Sequence, residues 1–148
     1  MPHLVIFYTP NIDRPVEQGG VDMRALCRAL ADSMLSQRDE RNTPVFPVGG
    51  VRVLAYPAAH YALADGGLAG QEAGKGTDYA FVYLNLRMAR GRSTGVHASV
   101  GQALEAVVKS HFADQLKNDL IGITLQIDEG QEVFDAKNSS IHPLFKKA

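Results

Sequence analysis

Two stretches of this chain alternate in side-chain character with a period of two, and a helical stripe lies between them. From Tyr79 to Met88, Ala80, Val82, Leu84, Leu86 and Met88 share one face, and Phe81, Tyr83, Asn85 and Arg87 share the other. Farther on, Ile121, Ile123, Leu125 and Ile127 alternate with Gly122, Thr124, Gln126 and Asp128. Between the two, Val100, Leu104, Val107, Val108, Phe112 and Leu116 recur at helical spacing. A strand, a helix long enough to cross back, and a second strand make a β-α-β unit.

The first half of the chain carries the same pattern. His3-Leu4-Val5-Ile6-Phe7-Tyr8 is apolar and β-branched and ends at the turn cluster Thr9-Pro10-Asn11. After Gly19-Gly20, Met23, Leu26, Cys27, Leu30 and Met34 form a helical stripe that should end before Asn42-Thr43-Pro44. Val48 to Tyr61 predicts a second strand, bent or ended near Pro57. Asp65 to Gly76 holds five glycines in twelve residues and predicts a loop between the halves, because neither flank is long enough to fold alone. The expectation is one α+β domain over 1–148, with halves at about 3–63 and 78–129 and a C-terminal docking tail from Val133. Two β-α-β units give a four-stranded sheet with two helices on one face. The other face is left bare, and a bare apolar face predicts self-association.

Composition narrows the function classes. The 148 residues are 45% hydrophobic and 21% charged, as in ordinary globular proteins. Fifteen Lys and Arg against sixteen Asp and Glu leave no basic footprint for nucleic acid. A single cysteine, Cys27, allows neither an internal disulfide nor a Cys-rich zinc site. No apolar run reaches the ~18–20 residues of a membrane span. The start Met1-Pro2-His3-Leu4 lacks the features of a signal peptide, so a cytoplasmic location is expected.

Few residues invite a chemical role. Removal of Met1, common before a small residue, would leave Pro2 as a secondary amine at the tip of the first strand. An α-amine titrates near ~8 in water, and burial or nearby cations lower that value, which makes a neutral base. Arg52 follows the Val48-Gly49-Gly50-Val51 turn, and Arg92 sits in Arg90-Gly91-Arg92-Ser93 before the second helix. Arginines at such turns can grip a carboxylate bidentately, and the helix start favours an anion. Arg87 and Arg90 are expected to be solvated charges, and Cys27 to pack within its helical stripe. His97 and His111 are too far apart along a helix to share a metal, and no residue set suggests a metal site. Gly74-Lys75-Gly76-Thr77 lacks the spacing of a phosphate loop.

Several short segments resemble one family in the same order along the chain. They are Pro2-His3, Asn11-Ile12, Gly50-Val51-Arg52, Asp78-Tyr79-Ala80-Phe81-Val82, Gly91-Arg92-Ser93 and Ile141-His142-Pro143-Leu144-Phe145-Lys146. Together they look like the 5-carboxymethyl-2-hydroxymuconate isomerase family of the tautomerase superfamily. The resemblance implies a homotrimer whose sheets line a central barrel, with Pro2 as general acid/base and Arg52 and Arg92 holding substrate carboxylates. It implies conversion of a 2-hydroxy-2,4-dienoate into its conjugated 2-oxo isomer during the breakdown of aromatic acids, with no cofactor. The chain has extra residues near Gln37-Arg38-Asp39-Glu40-Arg41 and in Asp65 to Gly76, where the pocket mouth could be reshaped. Two alternatives stay open: a related tautomerase reaction such as decarboxylation or hydration, and a non-catalytic oligomeric module binding small carboxylates.

Overall fold

The computed structural model describes residues 2–146. Strand β1 (His3–Tyr8) is followed by helix α1 (Met23–Ser36) and strand β2 (Arg52–Pro57). A short helix, α2 (Leu68–Glu72), interrupts the glycine-rich connection. The second half runs β3 (Tyr79–Met88), α3 (Thr94–His111), α4 (Ala113–Asn118) and β4 (Leu120–Glu129). The four strands form one sheet in the order β2-β1-β3-β4. Strands β1 and β2 are parallel, as are β3 and β4, while β1 and β3 meet antiparallel at the centre. This is the expected α+β architecture of two β-α-β units.

The helices start where their sequences supply a cap. The Asp22 side chain accepts from Ala25 N at 2.9 Å at the head of α1, and Ser93 Oγ accepts from Val96 N at 3.1 Å at the head of α3. A 14-residue helix spans about 21 Å and a six-residue strand about 20 Å, so α1 carries the chain back just far enough to lay β2 parallel to β1. Leu26, Leu30 and Met34 of α1 and Val96, Val100, Leu104 and Val108 of α3 are buried. They meet Leu4, Ile6, Val82, Leu84 and Leu86 from one face of the sheet. Cys27 packs against this core and burial raises its thiol pKa, as expected of a packing residue.

The boundaries differ from the sequence reading in three places, each for a local reason. Val48–Gly50 is a 3₁₀ turn, so β2 is shorter than the apolar run that suggested it. The helical stripe from Val100 to Leu116 is not one helix but breaks at the buried Phe112, where α3 ends and α4 begins. The connecting loop holds α2 because Asp65 accepts from Gly67 N at 3.0 Å and from Ala69 N at 2.8 Å. Gly67 must be glycine there: its φ is +101° and a Cβ would lie 2.4 Å from the Thr77 carbonyl oxygen.

The sheet face away from the helices is of mixed character. Phe7, Leu54 and Tyr56 are 51%, 44% and 47% exposed, and the Phe7 and Tyr56 rings sit 5.8 Å apart. Toward β4 the same face turns polar, with Tyr83 Oη donating to Gln126 at 2.8 Å and Asn85 donating to Asp128 at 2.6 Å. The bare apolar surface expected from sequence is therefore confined to the β1–β2 side. Among the described residues no helix is long and apolar enough to cross a membrane.

Candidate active site

Pro2 is buried immediately before β1. Strand alternation turns His3 to the open face, in register with Arg52 on one side and Arg87 on the other. Arg87 in turn faces Asp128, so one row crosses all four strands at the Pro2 end of the sheet. Arg52 is anchored by its own turn: Nη1 donates to Gly49 O at 2.7 Å and to Val51 O at 2.9 Å. Two of the five guanidinium donors are thereby used, and the Nε and Nη2 hydrogens remain for a ligand.

Arg92, from the other half of the chain, is held on the segment that leads into the Arg52 turn. Its Nη2 donates to Val45 O at 2.7 Å, its Nη1 to Ala89 O at 3.1 Å, and the guanidinium lies 5.9 Å from the Phe46 ring centroid. Val45 and Phe46 are buried, so the guanidinium is set against a rigid support. The loop continues through Pro47 to Gly50. A Cβ on Gly50 would come 2.8 Å from Pro47 Cγ, so the glycine lets the turn close on Pro47, and the same position faces Pro2 Cδ at an ordinary contact distance of 3.6 Å. Pro2, Arg52 and Arg92 are thus tied together by residues 45–52.

The remaining sequence candidates have local partners. Arg90 Nε donates to Gly130 O at 3.0 Å. His97 Nε2 lies 3.3 Å from Glu129, and His111 Nε2 lies 2.9 Å from the Asp22 carbonyl oxygen. Lys75 lines an apolar hollow of about 570 Å³ with Leu63, Gly70, Tyr79, Phe81 and Leu120, at the end of the sheet away from Pro2.

His3 and Arg87 also face this end of the sheet; the sequence reading gave His3 no role and expected Arg87 to be a solvated charge. Arg87 keeps only a loose ion pair with Glu132 at 3.6 Å and is otherwise exposed. Desolvation pushes the His3 pKa below its usual 6.5, and the Arg52 and Arg87 charges push it further, against a weaker opposing pull from Asp135. Proton-detected titration of His3 should accordingly give a midpoint below 6.5, and Arg87→Ala should move it upward by removing a repelling cation. A midpoint indifferent to Arg87 would mean that the row does not act as one electrostatic unit.

A family model described as 5-carboxymethyl-2-hydroxymuconate isomerase matches residues 2–145. The chain belongs to this family. A curated member from Escherichia coli, a 5-carboxymethyl-2-hydroxymuconate Delta-isomerase, is 25% identical over 146 residues, covering 99% of this chain and 100% of its own. A crystal structure of a 5-carboxymethyl-2-hydroxymuconate delta-isomerase has 52% identity and a TM-score of 0.93, over 100% of this chain and 95% of the other. A 5-carboxymethyl-2-hydroxymuconate isomerase from Deinococcus radiodurans R1 has 32% identity and a TM-score of 0.78, over 99% of this chain and 95% of the other. The family places the chain among the isomerases of the tautomerase superfamily. The two segments expected to be extra, near Gln37–Arg41 and Asp65–Gly76, lie within the span matched by the family model.

Proposed function

We propose that this isomerase converts a 5-carboxymethyl-2-hydroxymuconate-like dienol acid into its conjugated 2-oxo isomer, with Pro2 as the acid/base. The observation that carries the reading is the anchoring of Arg52 and Arg92 on the loop that packs against a buried Pro2. Once Met1 is removed, Pro2 presents a secondary amine. Burial and the nearby Arg52 charge both favour its neutral form. The amine takes the proton from the 2-hydroxyl group as C2=O forms and the double bonds shift along the chain. The protonated amine then returns a proton to the distant carbon, so the step is a net isomerisation.

The arginines suit a substrate carrying two or three carboxylates. Each keeps donors free for a bidentate grip, which fixes the diene relative to the amine and meets the negative charge that develops on oxygen. No cofactor enters this chemistry. We further propose that the active form is a homotrimer, supported by the exposed Phe7, Leu54 and Tyr56 on the open sheet face.

The test is ultraviolet-monitored ketonisation of 5-carboxymethyl-2-hydroxymuconate by protein whose intact mass begins at Pro2. The expected result is turnover well above the uncatalysed rate. Protein with a free Pro2 and no turnover would remove this substrate class, and turnover with a retained Met1 would remove the mechanism.

A further inference from the structure

The turn that holds Arg52 is poorly equipped to hold itself. Val48–Gly50 is one 3₁₀ turn with two glycines, the residue with most conformational freedom to lose. Its hydrogen bonds are Gly50 N to Pro47 O at 2.9 Å and a long one, Val51 N to Val48 O, at 3.5 Å. Yet the Gly49 carbonyl must stay in place to accept from Arg52 Nη1 at 2.7 Å. Something outside the turn has to fix it.

That support comes from the far end of the chain. His142–Phe145 forms a 3₁₀ turn of its own, and it lies against Val48–Gly50. A Cβ on Gly49 would stand 3.0 Å from Phe145 Cδ2, 3.2 Å from His142 Cα and 3.5 Å from His142 Cδ2. The missing side chain is what permits this approach. The tail turn is shaped locally, since Ser139 Oγ accepts from Ile141 N and His142 N, each at 3.2 Å. His142 Nδ1 is buried there without a partner among the described residues, a cost that an apolar ring in the same place would avoid.

We infer that His142 and Phe145 are positioning residues for the isomerase: they brace Gly49 and thereby set the Arg52 guanidinium for its carboxylate. The inference rests on the reading of Arg52 as a substrate-holding residue. Neither side chain is assigned contact with the reacting atoms. The tail acts through one backbone carbonyl, so its loss should weaken substrate capture more than the chemical step.

The experiment compares the parent with a His142→Ala/Phe145→Ala double variant and with Gly49→Ala, which keeps the tail but crowds its contacts at Phe145 Cδ2 and His142 Cα. Amide exchange at Gly50 and Val51 should quicken by about tenfold in both variants, while β1 and β3 amides stay unchanged. KM for the dienol acid should rise roughly fivefold or more, with kcat within about twofold of the parent. Unchanged exchange at Gly50 and Val51 would overturn the brace. Faster exchange with an unchanged KM would overturn the positioning role and leave a purely structural tail. A parent that never turns over the dienol acid would count against the proposed function, and the exchange rates would still decide the brace.

Discussion

Replacing Pro2 with glycine in the processed protein should lower kcat by roughly 10²–10⁴, the range that a positioned acid/base supplies. Glycine keeps an α-amine but loses the ring that fixes the direction of its lone pair. KM should move far less, because Arg52 and Arg92 keep their anchors on the 45–52 loop. The fold should survive, since the strand pairing begins at His3. Protein that retains Met1 should be inactive outright, because Pro2 is then an amide nitrogen with no basic pair. The processed wild type should lose activity as pH falls through the amine's pKa, since the protonated amine cannot accept the hydroxyl proton. Steady-state rates across pH with melting temperatures alongside are the measurement. A Pro2→Gly protein with near-normal kcat would assign the base to another group.

Arg92→Ala should damage two properties at once. Turnover should fall by roughly 10²–10³ in kcat/KM if the guanidinium meets charge that develops on substrate oxygen. Stability should fall by about 1–3 kcal/mol, because the Val45 carbonyl in a buried stretch loses its donor and Phe46 loses the cation above its ring. Lysine should recover part of the stability and little of the turnover. Its point charge cannot span Val45 O and Ala89 O while keeping a fork for a carboxylate. Denaturant midpoints measured beside kcat/KM separate the effects. Loss of stability with full turnover would make Arg92 a clamp for the loop and nothing more.

The fold was legible in the sequence where side chains report their surroundings. The alternation in β3 and the stripe of α3 are consequences of one buried face each, and the alternation in β4 of a face half-buried against the core. Boundaries were less legible wherever one contact decides them. Ser93 moves the start of α3 to Thr94, Phe112 breaks it, and Asp65 builds α2 inside a run of glycines. Pro2, Arg52 and Arg92 stood out because each sits at a turn or chain end where a polar group has no packing duty. Their meeting on one loop was not legible, since Val45 to Gly50 has no periodicity to announce it. The pairing of His3 with Arg87 was not legible for a related reason. They become neighbours only when β1 and β3 are set antiparallel in a particular register, a relation between distant segments that neither segment carries alone.

The central pairing of β1 with an antiparallel β3 gives the two halves of the chain equivalent geometry, with a strand beginning at each end of the sheet. Pro2 precedes one of those strands, and Asp78 precedes the other, where the Asn11 amide donates to it at 2.9 Å. A backbone amine exists only where a polypeptide starts. However alike the halves become, the second corner cannot acquire the same base by substitution, because its nitrogen is always acylated. With Pro2 as the proposed base, the architecture would hold one such centre for every two β-α-β units, while at the second corner Asn11 and Asp78 join the halves.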